Sequence, residues 1–441
     1  MSATLDATET PAAPASDGVG KYLIIGLMFM AQTFPSAFAG SLVPTLFRKQ
    51  GLPLEEFWVF SIPLIPYWMR WAWAPVVDSY WSDRIGRRKS WFLSCTLLAV
   101  VLYSALALFE LTQTALAGIV ALLFVKSMVT STQEVAIDAY AVDSIPPQRR
   151  SLSAGLITVF EAFGQMTALV VLGIIVERLG WRTGAVVAAL LMLVFLLPSI
   201  VRPEPAVAAN IRKRIEANRG TLRSTFAPLG RFLRRRDTHL LIPLLLVSGL
   251  FSGALAPMIG PLLIDQGFSV SKVGLVTGIT LATGTLTGAG AAMLINARIG
   301  ARRTLKWLTL ALPISVTPMI GILLTATPFT IPVALVALIP PTLATATYYV
   351  TWTTLRLSFA SALQAGTDYS SASAIQRVGQ TTAAAAGGLI AGKLGWASFF
   401  GALVVVGLLA IMAAWVVYEH LMSMIAERNQ REVHDTSGGA G

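Results

Sequence analysis

Residues 83–88 read DRIGRR, and 214 residues further on the chain repeats the pattern as ARIGARR at 297–303. Two more echoes lie at an offset of 215: Gly164-Gln165 returns as Gly379-Gln380, and Leu179-Gly180-Trp181 as Leu394-Gly395-Trp396. Pro44 followed by Gly51 is answered, less regularly, by Pro261 followed by Gly267. One such match is weak evidence; several at nearly one offset imply two halves of common design.

Composition says what each half contains. Of the 441 residues, 55% are hydrophobic and 12% charged, with a mean hydropathy of +0.69; a soluble domain carries about twice that charged fraction. Twelve mostly apolar stretches recur, at 21–47, 57–79, 90–110, 114–141, 150–176, 183–201, 240–264, 271–296, 303–325, 329–357, 368–390 and 397–424. Each is long enough as a helix to cross a hydrocarbon layer of roughly 30 Å. Continuous apolarity, without the alternation of a membrane strand, selects helices over a β-barrel. The expected fold is an all-α membrane protein with twelve transmembrane helices in two pseudo-symmetric six-helix bundles, 21–201 and 240–424. A polar tail at 1–20, rich in Ala, Thr and Pro, is expected to be disordered. A basic linker at 202–239 joins the bundles, and a second tail occupies 425–441. Parallel repeats of this kind place a substrate site near the bilayer midplane, where the halves meet, and expose it to each side in turn.

The formal net charge of +11 is explained by where the cations lie. Segments on one side of a twelve-helix plan hold Arg84, Arg87, Arg88, Lys89, Arg149, Arg150, Arg298, Arg302, Arg303 and Lys306, together with the linker and its ten Lys or Arg. The other side has Arg48, Lys49, Arg178, Arg182, Lys272 and Lys393. The positive-inside rule makes the first side, and with it both termini, cytoplasmic. This pattern fits a multi-pass protein of the cytoplasmic (inner) membrane whose basic linker lies against anionic headgroups, and no nucleic-acid partner is expected. Ala37, Phe38 and Ala39 imitate a signal-peptidase site, but the long polar tail before them argues against a cleaved signal. Cys95 is the only cysteine, and His239, His420 and His434 lie near helix ends or in the tail. Neither a metal site nor another cofactor is expected from so few ligands, and no nucleophile, base and acid arrangement suggests an enzyme.

Within the fourth stretch stands STQEVAIDAY, 131–140. An ionisable side chain at mid-helix costs roughly 2.5–3.5 kcal/mol, so Arg70, Lys126, Glu134, Asp138, Glu161 and Arg377 facing lipid would together cost on the order of 15–20 kcal/mol. They are expected to face inward. Glu134 and Asp138 are four residues apart and share a helix face. Two carboxylates that close in a low dielectric do not both ionise easily, which suits a proton carrier. Lys126 and Gln133 offer a cation and an amide from a nearby face. The competing reading is an ion-pair network of Glu134 with Arg70 or Lys126 that only joins helices. Asp138 has a further alternative, at the cytoplasmic interface. Gln32, Gln165, Tyr348 and Gln380 complete the expected substrate-binding set, with Tyr348, Tyr349 and Trp352 read first as packing.

The loop between the second and third stretches, WAPVVDSYWSDRIGRRKSW at 73–91, resembles the major facilitator superfamily. Asp83, Arg84, Gly86, Arg87 and Arg88 match its loop signature, with Ser79 where the leading Gly usually stands. The resemblance implies a conformational latch, in which Gly86 makes a tight turn and the arginines pair with Asp78 and Asp143. Arg70, Trp73, Ala74, Pro75 and Asp78, with Thr132, Gln133, Glu134, Asp138 and Ala139, resemble the AmpG-like branch, the peptide, acetyl-CoA and drug transporter family. Glu134 replaces that branch's usual Asp. The resemblance implies a monomeric proton symporter, a permease importing a small polar substrate: a muropeptide, alternatively a ferric siderophore as in the RhtX and FptX branch, or acetyl-CoA. A non-transporting membrane sensor, with the linker as its docking segment, is the alternative of a different class.

Overall fold

The structure is a computed structural model that describes residues 19–73, 76–77, 80–144, 150–201, 230–325, 327–359, 365–416 and 423–424. The expected tails and most of the basic linker lie outside the described residues.

The described chain is built of helices. α1 (19–49) runs as Val19–Ala37, a π-helical turn Phe38–Leu42, and Val43–Lys49. α2 (54–72) joins a 3-10 stretch, Leu54–Leu64, to an α-helical turn, Ile65–Met69, and a second 3-10 turn, Arg70–Ala72. Pro63 and Pro66 each lack an N–H, so the α-helical ladder cannot run unbroken through α2. α3 (Lys89–Leu106), α4 (Leu116–Ser144), α5 (150–179, with a π-helical turn Thr167–Val171) and α6 (Trp181–Val201) complete the first half. The second half comprises α7 (Arg236–Asp265), α8 (270–299), α9 (301–324), α10 (Ile331–Phe359), α11 (365–394) and α12 (396–416).

Among the described residues, nine helices are long and apolar enough to cross a membrane. One of these, Ser371–Val416, makes two passes that turn at Gly395; Trp181–Phe195 is a shorter apolar helix, and α2 is the proline-interrupted one. Together they give the twelve expected passes. The helices are apolar on more than their packed faces: α3 buries Ala99, Tyr103 and Leu106 while leaving Leu97, Leu98 and Val101 exposed. In a bilayer that outer face meets lipid and carries no penalty.

The repeat is written into the backbone. The positive-φ glycines among the described residues form three pairs: Gly51 with Gly267 (φ 84° and 81°), Gly86 with Gly300 (113° and 80°), and Gly180 with Gly395 (86° and 84°). A left-handed φ is nearly free for glycine and strained for other residues, so each pair marks the same turn made twice. The echo of Gly164 and Gly379 is a packing echo. A Cβ on Gly164 would lie 2.7 Å from the Met30 carbonyl of α1, and one on Gly379 would collide with the Leu246 carbonyl of α7. α1 thus lies on α5 as α7 lies on α11, with small residues admitting the close approach. The second crossing also carries two rungs one turn apart: Gln376 Nε2 donates to Ser248 Oγ (3.1 Å) and Gln380 Nε2 to Ser252 Oγ (3.2 Å).

By connectivity, the start of α1 and the end of α12 share one face of the molecule, here called the terminal face; the opposite one is the distal face. The halves meet where α1 packs on α7, α2 on α11 and α5 on α8. Toward the distal face this seam is tight. A Cβ on Gly388 of α11 would lie 2.5 Å from the Leu54 carbonyl of α2. Charged groups seal it further: Arg48 Nε and Nη2 donate to Asp265 (2.5 and 2.9 Å), Arg48 Nη1 to Leu52 O (2.9 Å), and Trp396 Nε1 to Asp265 Oδ2 (2.9 Å). Glu177 Oε2 accepts from the backbone N–H of Ser271, at the start of α8 (2.5 Å). These contacts close the distal face.

Candidate functional site

Helix register places Glu134 and Glu161 at one depth. Gly26 packs against Phe160 and Gly164 against Met30, so α1 and α5 are parallel and Glu161 stands level with residue 27. Lys126 Nζ of the antiparallel α4 donates to Pro35 O of α1 (3.3 Å). Eight residues further along α4, about 12 Å nearer the terminal face, Glu134 reaches the same level. Counting from the helix ends at Ser144 and Ala365, Glu134 and Arg377 lie about 15 and 18 Å inside, close to the middle of a roughly 30 Å hydrocarbon layer.

At this level one carboxylate is shared between the two halves. Arg70 Nη1 of α2 donates to Glu134 Oε2 at 2.9 Å and to Asp138 Oδ2 at 3.3 Å, while Arg377 Nη2 of α11 donates to the same Glu134 oxygen at 3.3 Å. The side chains of Arg70 and Glu134 are 8% and 4% exposed, whereas those of Arg377 and Asp138 are 32% and 41% exposed. Glu134 is therefore the dry centre of the cluster. Asp138, one turn nearer the terminal face, is its wet edge. Two arginines against two carboxylates make the cluster neutral, which offsets the desolvation of burying it.

Tyr67, which no sequence motif singled out, organises the surroundings. Its hydroxyl is 2.8 Å from Thr130 Oγ1, and its ring lies 5.5 Å from the Arg377 guanidinium carbon and 5.9 Å from Lys126 Nζ. The one available signal was its place three residues before Arg70, on the same face of a short helix. Arg48 and Asp265 were missed as well. Opposite charges at matching ends of α1 and α7, beside the Gly51 and Gly267 echo, were the clue.

Several expected residues have other neighbours. Lys126 is fully buried and turned to the Pro35 carbonyl, which also accepts from the Tyr103 hydroxyl at 3.2 Å. Gln133 donates to Thr96 Oγ1 of α3 at 2.7 Å, inside the first half. Gln32 is buried, and its Oε1 has no partner among the described residues. Tyr348 packs edge-on against Trp352, and Gln380 forms the rung to Ser252. Gln165 and Glu161 are half-buried on α5.

In the loop before α3, Gly86 has φ 113° and forms a bridge with Ser82. Asp83 accepts from Trp81 Nε1 at 3.0 Å, and the Arg87 guanidinium lies 5.5 Å from the Trp81 ring centre. Arg84 is exposed, and Arg88 is buried at the N-terminal boundary of α3. Asp83 stands five residues before that boundary, outside the helix. Asp78 and the side chain of Asp143, the expected latch partners, lie outside the described residues.

The distal seal gives one prediction. Arg48→Ala should raise the maleimide reactivity of a cysteine placed at Thr45 several-fold from the distal side, because Asp265 then keeps only Trp396. The experiment starts from Cys95→Ser, which removes the single native thiol. Unchanged reactivity would show that the seal rests on packing alone.

The sequence profile of the Major Facilitator Superfamily matches residues 23–380. The anhydromuropeptide permease of Escherichia coli K12 is 24% identical over 268 residues, covering 60% of this chain and 53% of the permease. The matched region thus spans about half the length of that relative. Among solved structures, a point mutant of the nucleoside transporter NupG superposes with a TM-score of 0.68 at 13% identity, over 90% of this chain and 99% of that one. The partially occluded, inward-open xylose transporter XylE of E. coli gives 0.68 at 15% identity, over 90% and 96%. At such identities these two likenesses concern the fold.

Proposed function

Because the chain belongs to the Major Facilitator Superfamily, we propose that it is a proton-coupled importer of a muropeptide-like substrate. The chain is a multi-pass membrane transporter distantly similar to anhydromuropeptide permease. In this proposal the terminal face and the basic linker lie toward the cytoplasm.

The observation that supports coupling is the single Glu134 oxygen held by arginines of opposite halves. While Glu134 is ionised it ties α11 to α2 and α4 and occupies both guanidinium groups. A proton on Glu134 removes the charge that holds them. A substrate carboxylate can then take its place, because Arg recognises carboxylates through directed N–H donors. Proton and anionic group therefore arrive together, and the seam between the halves is rebuilt around the cargo. Asp138, bonded to Arg70 and half exposed toward the terminal face, is the proposed exit step for the proton. On this reading the Arg84, Arg87 and Arg88 loop serves as the latch on the terminal face.

Uptake into proteoliposomes under an inward proton gradient tests the reading, with labelled anhydromuropeptide, ferric siderophore and acetyl-CoA offered separately, with and without an uncoupler. Accumulation of the muropeptide that the uncoupler abolishes is expected. Accumulation of the siderophore instead would replace the substrate and keep the mechanism. Acetyl-CoA is disfavoured, since a charge-balanced cluster poorly compensates several phosphates. Binding without flux of any compound would favour a sensor.

A further inference from the structure

Glu161 is the charged side chain at the central level that the ion-pair cluster leaves out. It stands level with Glu134 by the register of α1 against α5 and α4, and it makes no hydrogen bond or ion pair among the described residues. The charges acting on it are those of Asp138 and Glu134, which repel its own, and that of Arg377, which attracts it. Arg377 is already bonded to Glu134. An ionised carboxylate in a membrane interior without a bonded cation is costly, so an ionised Glu161 is stabilised by a positive charge brought to it.

A second shortage points the same way. Gln32 and Gln133 are 6% and 1% exposed, and the Oε1 atom of each has no hydrogen-bond partner among the described residues. Native interiors leave few buried acceptors unpaired, and each one deserves a cause. The interior cations are in the opposite condition: Arg70 has Glu134 and Asp138, Arg377 has Glu134, and Lys126 has the Pro35 carbonyl. Acceptors on α1, α4 and α5 thus lack donors, while the donors of the cluster already have acceptors.

We propose that Glu161 binds a positively charged amino group of the substrate, so that the transporter selects compounds carrying a free amine as well as a carboxylate. This rests on the proposed transport function and adds to it the chemistry of the cargo. The carboxylate goes to Arg70 and Arg377 when Glu134 takes a proton, and the ammonium goes to Glu161 on α5. A zwitterionic peptide satisfies both ends.

The test is uptake of two compounds into proteoliposomes: an anhydromuropeptide whose peptide carries a free amino group, and the same compound N-acetylated. The membrane potential is clamped at zero, since acetylation changes the substrate's charge. In the unmodified protein the free amine should lower KM by about tenfold. Glu161→Gln should reduce that ratio to near one by raising the KM of the free amine toward that of the acetylated compound. Glu161→Asp, which keeps the charge, should retain the preference and serves as the reading if the Gln variant does not fold. Equal KM values for the two compounds in the unmodified protein would overturn this inference alone. So would a Glu161→Gln variant that loses gradient-driven uptake of both but keeps counterflow, since Glu161 would then lie on the proton path. Uptake of neither compound by the unmodified protein overturns the substrate reading and this inference with it.

Discussion

Replacing Glu134 by Gln is expected to abolish gradient-driven accumulation, lowering it by about 100-fold or more, while substrate counterflow continues without a gradient. The amide keeps nearly the shape of the carboxylic acid and mimics its protonated form. It still accepts a hydrogen bond from Arg70 or Arg377, which donate to Glu134 Oε2 at 2.9 and 3.3 Å. What it loses is the ability to change charge. A carrier locked in the protonated form can exchange cargo, but it has no step in which a proton is released to drive net movement. A 100-fold loss corresponds to about 2.7 kcal/mol of driving force. Uptake and counterflow measured on one reconstituted preparation separate the two activities. Full accumulation in the Gln variant would remove Glu134 from the proton path. Loss of both activities in folded protein would make it a substrate ligand or a structural strut.

The second large effect is on stability. Arg70→Met leaves Glu134 with Arg377 alone and Asp138 with no bonded cation among the described residues, and Glu134 is buried. Removing one partner of a buried ion pair costs about 3–5 kcal/mol, chiefly because the remaining charge is stranded. The double variant Arg70→Met/Glu134→Met should recover most of that loss, to within about 1 kcal/mol of the unmodified protein, because similar-sized apolar side chains replace the pair and a buried pair often contributes little net stability. Asp138 and Arg377 then remain, both partly exposed and able to reach water. Melting in detergent reads the cycle, and transport should be absent from both variants. A double variant no more stable than Arg70→Met would show that the cluster holds the halves together through more than charge compensation. That result would favour the strut over the carrier.

Both predictions concern residues that the sequence picked out for their cost, and the reason is physical. In a chain this apolar, an ionisable residue within a membrane-length run has few permissible places, so Arg70, Glu134, Asp138, Glu161 and Arg377 announced themselves as interior. Their partners were less legible. Lys126 and Gln133 look like site residues on a helical wheel, yet one reaches a backbone carbonyl and the other a threonine of α3. A helix face carries no statement of which neighbour it meets. Tyr67 and Arg48 stayed hidden because a tyrosine in an apolar run and an arginine at a helix end are ordinary. Only their cross-chain partners, Arg377 and Asp265, make them notable.

The sequence by itself determined the all-helical membrane class, the twelve passes and the doubling of the chain. Hydropathy over 20 residues and the spacing of special glycines are local properties, and the bilayer allows few folds that satisfy them. The tertiary structure alone decided that Arg377 of the second half shares an oxygen of Glu134 in the first, 243 positions apart, and that Arg48 closes on Asp265 across 217. It also decided that Glu161 stands at the depth of Glu134, outside the ion-pair cluster. Such pairings depend on how two six-helix units lean on each other. That arrangement is set by glycine contacts and register between helices distant in sequence, which no pattern along a single helix encodes.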